Sequence, residues 1–232
     1  MPKLLLPVLT MLLVSSCTTY QYFTVDSSQL PKDDQRSLVM ENDTMRLSYS
    51  FSGGGGPLTI TVLNKTNQAI FIDWNKSALV CNDRSYSLAQ TGSAFVGSAV
   101  RTGAGTADLA GTVNVAPQME IVPGQTRISH LVLNLNLTLP PFRMRLPDSS
   151  GKQKIHFNSR PPIVYKAAQL AESQSPLQMK TYLTFVMGPG NGAEFVESHT
   201  FYVGKVIETR AWPSEFPLYK EPGDQFYILY QN

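Results

Sequence analysis

Three histidines and two cysteines are the side chains in this chain best suited to bind a soft metal or to activate a nucleophile near neutral pH. Their spacing suits neither task. His130, His156 and His199 stand far apart, no His-Glu-x-x-His occurs, and no Gly-x-Ser-x-Gly elbow is present. His130 and His156 fall on the polar sides of strand-like runs, whereas His199 is in phase with Phe195 and Phe201 and is expected to be partly buried. Cys81 ends the apolar run in "SALVCND", which predicts a buried thiol that behaves as a small hydrophobe. Gly188, Gly190 and Gly192 of "GPGNG" resemble a phosphate loop only in composition, because a strand-periodic segment follows where a helix N-terminus would be required. No catalytic residue, metal ligand or cofactor-binding motif emerges, and a non-enzyme is expected.

Two groups of residues are candidates for binding. Asp73 and Trp74 in "FIDWNKSALV" set a carboxylate beside an aromatic ring, as sugar-binding sites do, but Trp74 also alternates with Ile70 and Ile72 and can seal one end of a core. The second group is basic and aromatic. Arg143, Arg145, Lys152, Lys154, Arg160 and Lys166 crowd residues 141–166 against Asp148 alone, and Trp212, Phe216 and Tyr219 stand in a proline-rich tail. Such a set suits an acidic partner, either lipid phosphates or an acidic protein face.

The N-terminus carries chemistry of another kind. Lys3 is followed by an apolar run from Leu4 to Val14 of about eleven residues, a signal-peptide length too short to span a bilayer. Small residues then lead into a cysteine, and Val14-Ser15-Ser16-Cys17 resembles a bacterial lipobox. That resemblance implies cleavage before Cys17 and lipid attachment to its thiol, so that residues 1–16 are a lipoprotein signal peptide and the membrane is reached through lipid. Only Thr18 and Thr19 then separate Cys17 from "YQYFTV". Residues 17–26 are therefore a lipidated N-terminus with either a short tether or the first strand. With Cys17 lipidated, Cys81 has no intramolecular partner.

The net charge of +2 is no nucleic-acid footprint. With 16% charged residues and ten tyrosines, the composition is that of an exported β protein. The elements that must position these residues read as strands. In "MRLSYSF", Met45, Leu47, Tyr49 and Phe51 share one face; Leu58, Ile60 and Val62 do so in "PLTITVL", after the break at "GGGG". "QMEIVPGQTRIS" predicts two strands joined by a Pro-Gly turn, with positive φ at Gly124. "SHLVLNLNLTL" predicts the longest strand, with Leu131, Leu133, Leu135, Leu137 and Leu139 on one face. "GPGNG" is expected to join two strands as a hairpin, "KAAQLAES" to form a short helix, and "QFYILY" to form the last strand. Residues 27–232 are thus expected to form an all-β domain, an antiparallel, immunoglobulin-like β-sandwich with loop insertions near 91–112 and 140–166. A closed β-barrel is the alternative.

"FIDWNKSALVCND" and "SPLQMKTYLTFVMG…HTFYVGKV" resemble stretches of uncharacterised lipoproteins of the Bacteroidetes. The resemblance implies a β-sandwich lipoprotein and assigns no activity. Surface-exposed members of that group carry acidic residues just after the lipidated cysteine; here none precedes Asp26, which implies an outer-membrane anchor facing the periplasm. Asp43-Thr44-Met45 is similar to the O-glycosylation site of the group, which implies modification at Thr44. The expected function is that of a non-catalytic accessory subunit docking on an outer-membrane or periplasmic protein partner. The alternative is a module binding a glycan or another small ligand.

Overall fold

The alternating runs fold as strands whose apolar faces meet across one interior. A computed structural model describes residues 18–89, 93–100, 106–113, 119–138, 143–146, 150–157, 160–188 and 192–231. Cys17 and residues 1–16 lie outside the described residues. The first strands are β1 (Thr18–Asp26), β2 (Leu38–Glu41), β3 (Met45–Ser50), β4 (Gly53–Gly54), β5 (Pro57–Asn64), β6 (Ile70–Cys81) and β7 (Arg84–Ser87). After them come β8 (Ser93–Val100), β9 (Thr106–Val113), β10 (Glu120–Val122), β11 (Arg127–Asn134), β12 (Lys152–Phe157) and β13 (Arg160–Gln169). The last are β14 (Gln178–Met187), β15 (Glu194–Thr209) and β16 (Gln225–Gln231).

Two sheets make an all-β sandwich. The larger has ten strands and curls into a half-barrel along the path β10-β6-β14-β15-β1-β16-β4, with β7 on β6 and the β12–β13 hairpin branching from β15. The smaller runs β11-β5-β3-β2. Strand β15 has β14 and then β13 along one side and β1 along the other. Between the sheets lie Phe23, Met45, Leu47, Tyr49, Phe51, Leu58, Ile60, Ile72, Trp74, Phe185, Phe201 and Phe226, all buried. These are the faces that period-two alternation predicts for β3, β5 and β6, and each large side chain contributes about 1.5–3 kcal/mol. A second, smaller cluster lies on the outer face of the large sheet, where Tyr20, Tyr22 and Ile207 meet Phe216 and Tyr219.

A polar lock holds one end of the sandwich. Asp224 is fully buried and accepts from Lys32 Nζ at 2.7 Å and from Arg36 Nη2 at 2.7 Å. Lys32 also pairs with Asp26. The backbone around this carboxylate is stitched in the same place: Val25 N–H donates to Asp224 O (2.7 Å), Phe51 N–H to Gly223 O (2.6 Å), and Gly223 N–H to Gln35 O (2.8 Å). Arg36 sits at φ 63°, a conformation that costs a side-chain-bearing residue free energy and here aims its guanidinium at Asp224.

Several segments depart from expectation. The Gly/Ala/Ser/Thr-rich stretch 91–112, expected as a surface loop, contains β8 and β9, paired antiparallel as a two-stranded ribbon. Residues 140–166, expected as a loop, contain the β12–β13 hairpin. "KAAQLAES" is not helical: its first half ends β13, and a single 3-10 turn, Glu172–Gln174, follows. The leucine series 131–139 is no continuous strand. The register that sets Ile128 and His130 opposite the buried Val62 and Ile60 leaves Leu131, opposite Thr59, 54% exposed; an irregularity between Leu131 and Leu133 then reverses the phase, and one helical turn, Leu135–Thr138, follows with Leu135 in the core. At the Pro-Gly turn the positive φ falls on Gln125 (59°) rather than Gly124. Gly124 is needed for contact instead, since a Cβ there would meet the Asn67 carbonyl at 2.6 Å. That turn does not close a hairpin; it carries the chain from the large sheet at β10 to the small one at β11.

Candidate functional site

Residues 17–26, left open as tether or strand, begin a strand as soon as they are described. Thr18 pairs with Gln231, Thr19 with Tyr230, and Tyr20 with both Leu229 and Thr209, so β1 is flanked on both sides within three residues of Cys17. The neighbouring strands carry two rows that fix what surrounds this entry point. One row is Gln153, Tyr165, Thr209, Tyr20 and Leu229 across β12, β13, β15, β1 and β16; the next is Lys152, Lys166, Glu208, Gln21 and Ile228. Opposed residues share a face, so Lys152 and Lys166 lie on the Gln21 face and Tyr165 and Leu229 on the Tyr20 face.

Gln21 organises the basic side. Its amide is fully buried, donates to Met144 O at 2.7 Å and to Glu208 Oε2 at 2.8 Å, and accepts from Met144 N–H at 3.1 Å. The side chain thus holds segment 143–146 as a neighbouring strand would, with Met144 clamped and Arg143 and Arg145 displayed outward on either side of it. Arg143 Nη2 lies 3.8 Å from Glu208, and its guanidinium sits 5.5 Å above the Tyr230 ring. Burial pushes the Tyr230 hydroxyl up to about 12, so the ring beneath that cation stays neutral. Arg143, Arg145, Lys166 and Glu208 enclose a niche of about 380 Å³. Lys154 pairs with Val164 beyond the Tyr20 row, and Arg160, opposite Phe157, stands farther along the same hairpin.

The aromatic candidates divide. Trp212 is 62% exposed, and its ring packs 5.8 Å from that of Tyr20. Phe216 and Tyr219, expected to meet a partner, are instead buried against Tyr22 at 4.8 and 5.1 Å, because the tail folds back onto the outer face of the large sheet. The rim therefore consists of Arg143, Arg145, Lys152, Lys154, the hairpin end bearing Arg160, and Trp212.

Asp73 and Trp74 do not form an open ligand site. Trp74 is 1% exposed, donates Nε1–H to Glu120 at 2.8 Å and stacks on His130 at 4.9 Å. Asp73 is buried, and its Oδ1 accepts from the Asn75 and Lys76 amides across the irregularity that separates the two halves of β6. His130, expected on a polar face, is turned to the Trp74 ring because its register opposite the buried Ile60 places it on the inner face of β11, with Nδ1 3.4 Å from Glu120. His199 is buried as expected, with Nδ1 2.9 Å from the Tyr49 hydroxyl; burial lowers its pKa and keeps the ring neutral. Thr44 is half-buried in the turn between β2 and β3, its amide capped by Asn42 Oδ1.

Cys81 ends β6 inside the core, and desolvation pushes its thiol up to about 12. The thiolate that alkylating reagents need is therefore scarce, and the sulfur is shielded. Folded protein is expected to resist iodoacetamide over a period in which denaturant-treated protein reacts fully; rapid labelling under native conditions would show the core to be open there.

Gln21, Leu229 and Arg210 escaped the sequence reading. Arg210 is an exposed cation directly after β15, at the same edge. A polar residue amid "TTYQYF" was the one available sign for Gln21, while the other two needed the register. Among the described residues, no group of three or more His, Cys, Asp or Glu side chains is arranged to hold a metal ion. No helix among them is long and apolar enough to cross a membrane. Compared with known protein families, curated proteins and solved structures, the chain matches none.

Proposed function

We propose that the protein is a non-catalytic envelope lipoprotein, anchored through lipid on Cys17 in the outer membrane and serving on the periplasmic side as an accessory subunit of an outer-membrane protein assembly. The observation that supports this reading is the lack of slack between anchor and fold. Pairing of β1 begins at Thr18 and makes the anchored segment a central strand of the large sheet rather than a tether. A flexible linker extends reach with its length; a domain seated directly on its anchor meets only partners at membrane height. The sequence after Cys17, free of acidic residues before Asp26, is the basis for the periplasmic side.

The test is extraction of the native lipoprotein in mild detergent, followed by crosslinking and native electrophoresis. Co-migration with a larger assembly is expected, as is resistance to protease added to intact cells. A protein that migrates alone would remove the accessory role.

One observation favours a second reading, a binding module for a glycan or another polar ligand. The outer face of the small sheet forms a trough of about 520 Å³, floored by Ser48, Ser50, Thr61 and Ser129 and walled by Arg46, Arg127, Asp33 and Asp34. Its hydroxyls and paired charges suit polyol recognition better than the buried Trp74 does. Solitary migration combined with glycan-dependent chemical-shift changes along β3, β5 and β11 would establish it.

A further inference from the structure

The edge of the large sheet at which the chain enters has two unlike flanks. On the Gln21 face lie cations, Arg143, Arg145, Lys152 and Lys154 among them, and on the Tyr20 face lie the exposed apolar groups Trp212 and Leu229. Thr18 stands at the edge that both flanks share. The β12–β13 hairpin continues past that level: Ile163 is two residues beyond Tyr165, level with Thr18, and Arg160 is three further on, about 10 Å at ~3.3 Å per residue. An amphipathic indole at one flank, cations at the other and a lipid anchor between them is the pattern of a surface seated at a headgroup layer, where indole rings and basic side chains are both favoured.

We infer that this rim is a membrane-contact face that binds the anionic phospholipid headgroups of the leaflet in which the chain is anchored, with Trp212 inserted at the interface and the 143–154 cations on the phosphates. The inference rests on the lipidation of Cys17 proposed above. It goes beyond that proposal by fixing the orientation of the domain: the hairpin end and Trp212 point into the leaflet, and the Asp224 end points away. It also assigns these cations to lipid rather than to a protein partner. Charge and position both argue for this occupant. The anchor brings the leaflet to this edge before any partner arrives, and each cation at an anionic surface shifts association about fivefold.

The test uses the purified lipidated protein in vesicles of phosphatidylcholine with brominated acyl chains, with or without brominated phosphatidylglycerol. Tryptophan emission is expected to be quenched in the phosphatidylglycerol vesicles and to recover in high salt. In W212F the quenching should vanish while the emission of core-buried Trp74 persists, which also reports that the fold survives. The combined R143E, R145E, K152E and K154E variant should be quenched no more than wild type in phosphatidylcholine alone. Unchanged quenching in that variant, or no quenching of wild type, would overturn the inference. So would loss of a co-purifying protein on the same charge reversal with vesicle quenching intact, because the cations would then serve a protein. The anchor is read separately from the mass of the N-terminal peptide. Protein found to lack lipid is floated with the same vesicles, where the inference requires association that depends on phosphatidylglycerol and is lost on charge reversal.

Discussion

Cys17→Ala is expected to leave the outer-membrane fraction empty of this protein, which should accumulate instead as an unprocessed precursor or as a soluble product. The argument is one of chemistry and then of magnitude. A lipobox-type signal needs the thiol as the nucleophile that accepts the lipid, and alanine offers none. Each methylene buried in the bilayer contributes about 0.8 kcal/mol, and two or more chains together make stable attachment. Lost with the thiol, that term has no substitute of similar size in the described domain, since the rim contact proposed above would supply a salt-sensitive association only. The described strands run from Thr18 to Gln231, so the substitution leaves their contacts untouched and the variant should keep its fold, as read by near-UV circular dichroism. Fractionation, mass spectrometry of the N-terminal peptide and detergent partitioning measure the outcome. A Cys17→Ala protein that is matured and membrane-held like the wild type would remove the basis of both the location and the rim orientation.

Asp224→Ala should be the most destabilising single change at a polar position, at roughly 3 kcal/mol, which for a domain of this size lowers Tm by about 6–12 °C. Asp224 has no exposed surface, and its carboxylate answers both Lys32 and Arg36. Removing one partner of a buried pair costs about 3–5 kcal/mol when the remaining charge is trapped. The low end applies because Arg36 is half-exposed and Lys32 retains Asp26. The loss has a structural side too, since the carboxylate tethers residues 32–36 to the turn that receives the Phe51 and Val25 amides. An informative control is Glu41→Ala, which breaks half-exposed pairs with Lys65 at 3.1 Å and Arg46 at 3.6 Å and should cost no more than about 1 kcal/mol. Chemical denaturation of the two variants side by side decides the matter. Equal midpoints would show that the Asp224 pair is offset by its desolvation and does not hold the two segments.

Legibility of the fold followed burial. Alternation reported the inner faces of β3, β5 and β6 correctly because those strands have one wet and one dry side, and period two is the imprint of that asymmetry. It failed for residues 130–132, where an edge strand with a register irregularity reverses which side chains face inward, so the even spacing of the leucines was a poor guide to Leu131. It failed again for Phe216 and Tyr219, since a proline-rich tail has no period and its burial depends on a tertiary fold-back onto Tyr20 and Tyr22. The basic residues of the rim were visible as a cluster, but their arrangement was not. Gln21, which mimics a strand for Met144 123 residues away, and the rows that bring Lys152 and Lys166 beside Glu208 are products of register between segments distant in sequence.

The pairing of β1 with both β15 and β16 has a temporal consequence. Residue 20 finds its two backbone neighbours at residues 209 and 229, so its sheet contacts close loops that span most of the sequence, and loop closure on that scale is entropically late and slow. Tyr20, Tyr22 and Phe23 have no strand partner until β15 has been synthesised and are enclosed on both sides only when β16 follows, and an unpaired aromatic strand is prone to aggregate. Under the lipidation proposed for Cys17, this closure would take place with the first strand already tethered at its N-terminal end, so that the sandwich would be completed at the leaflet.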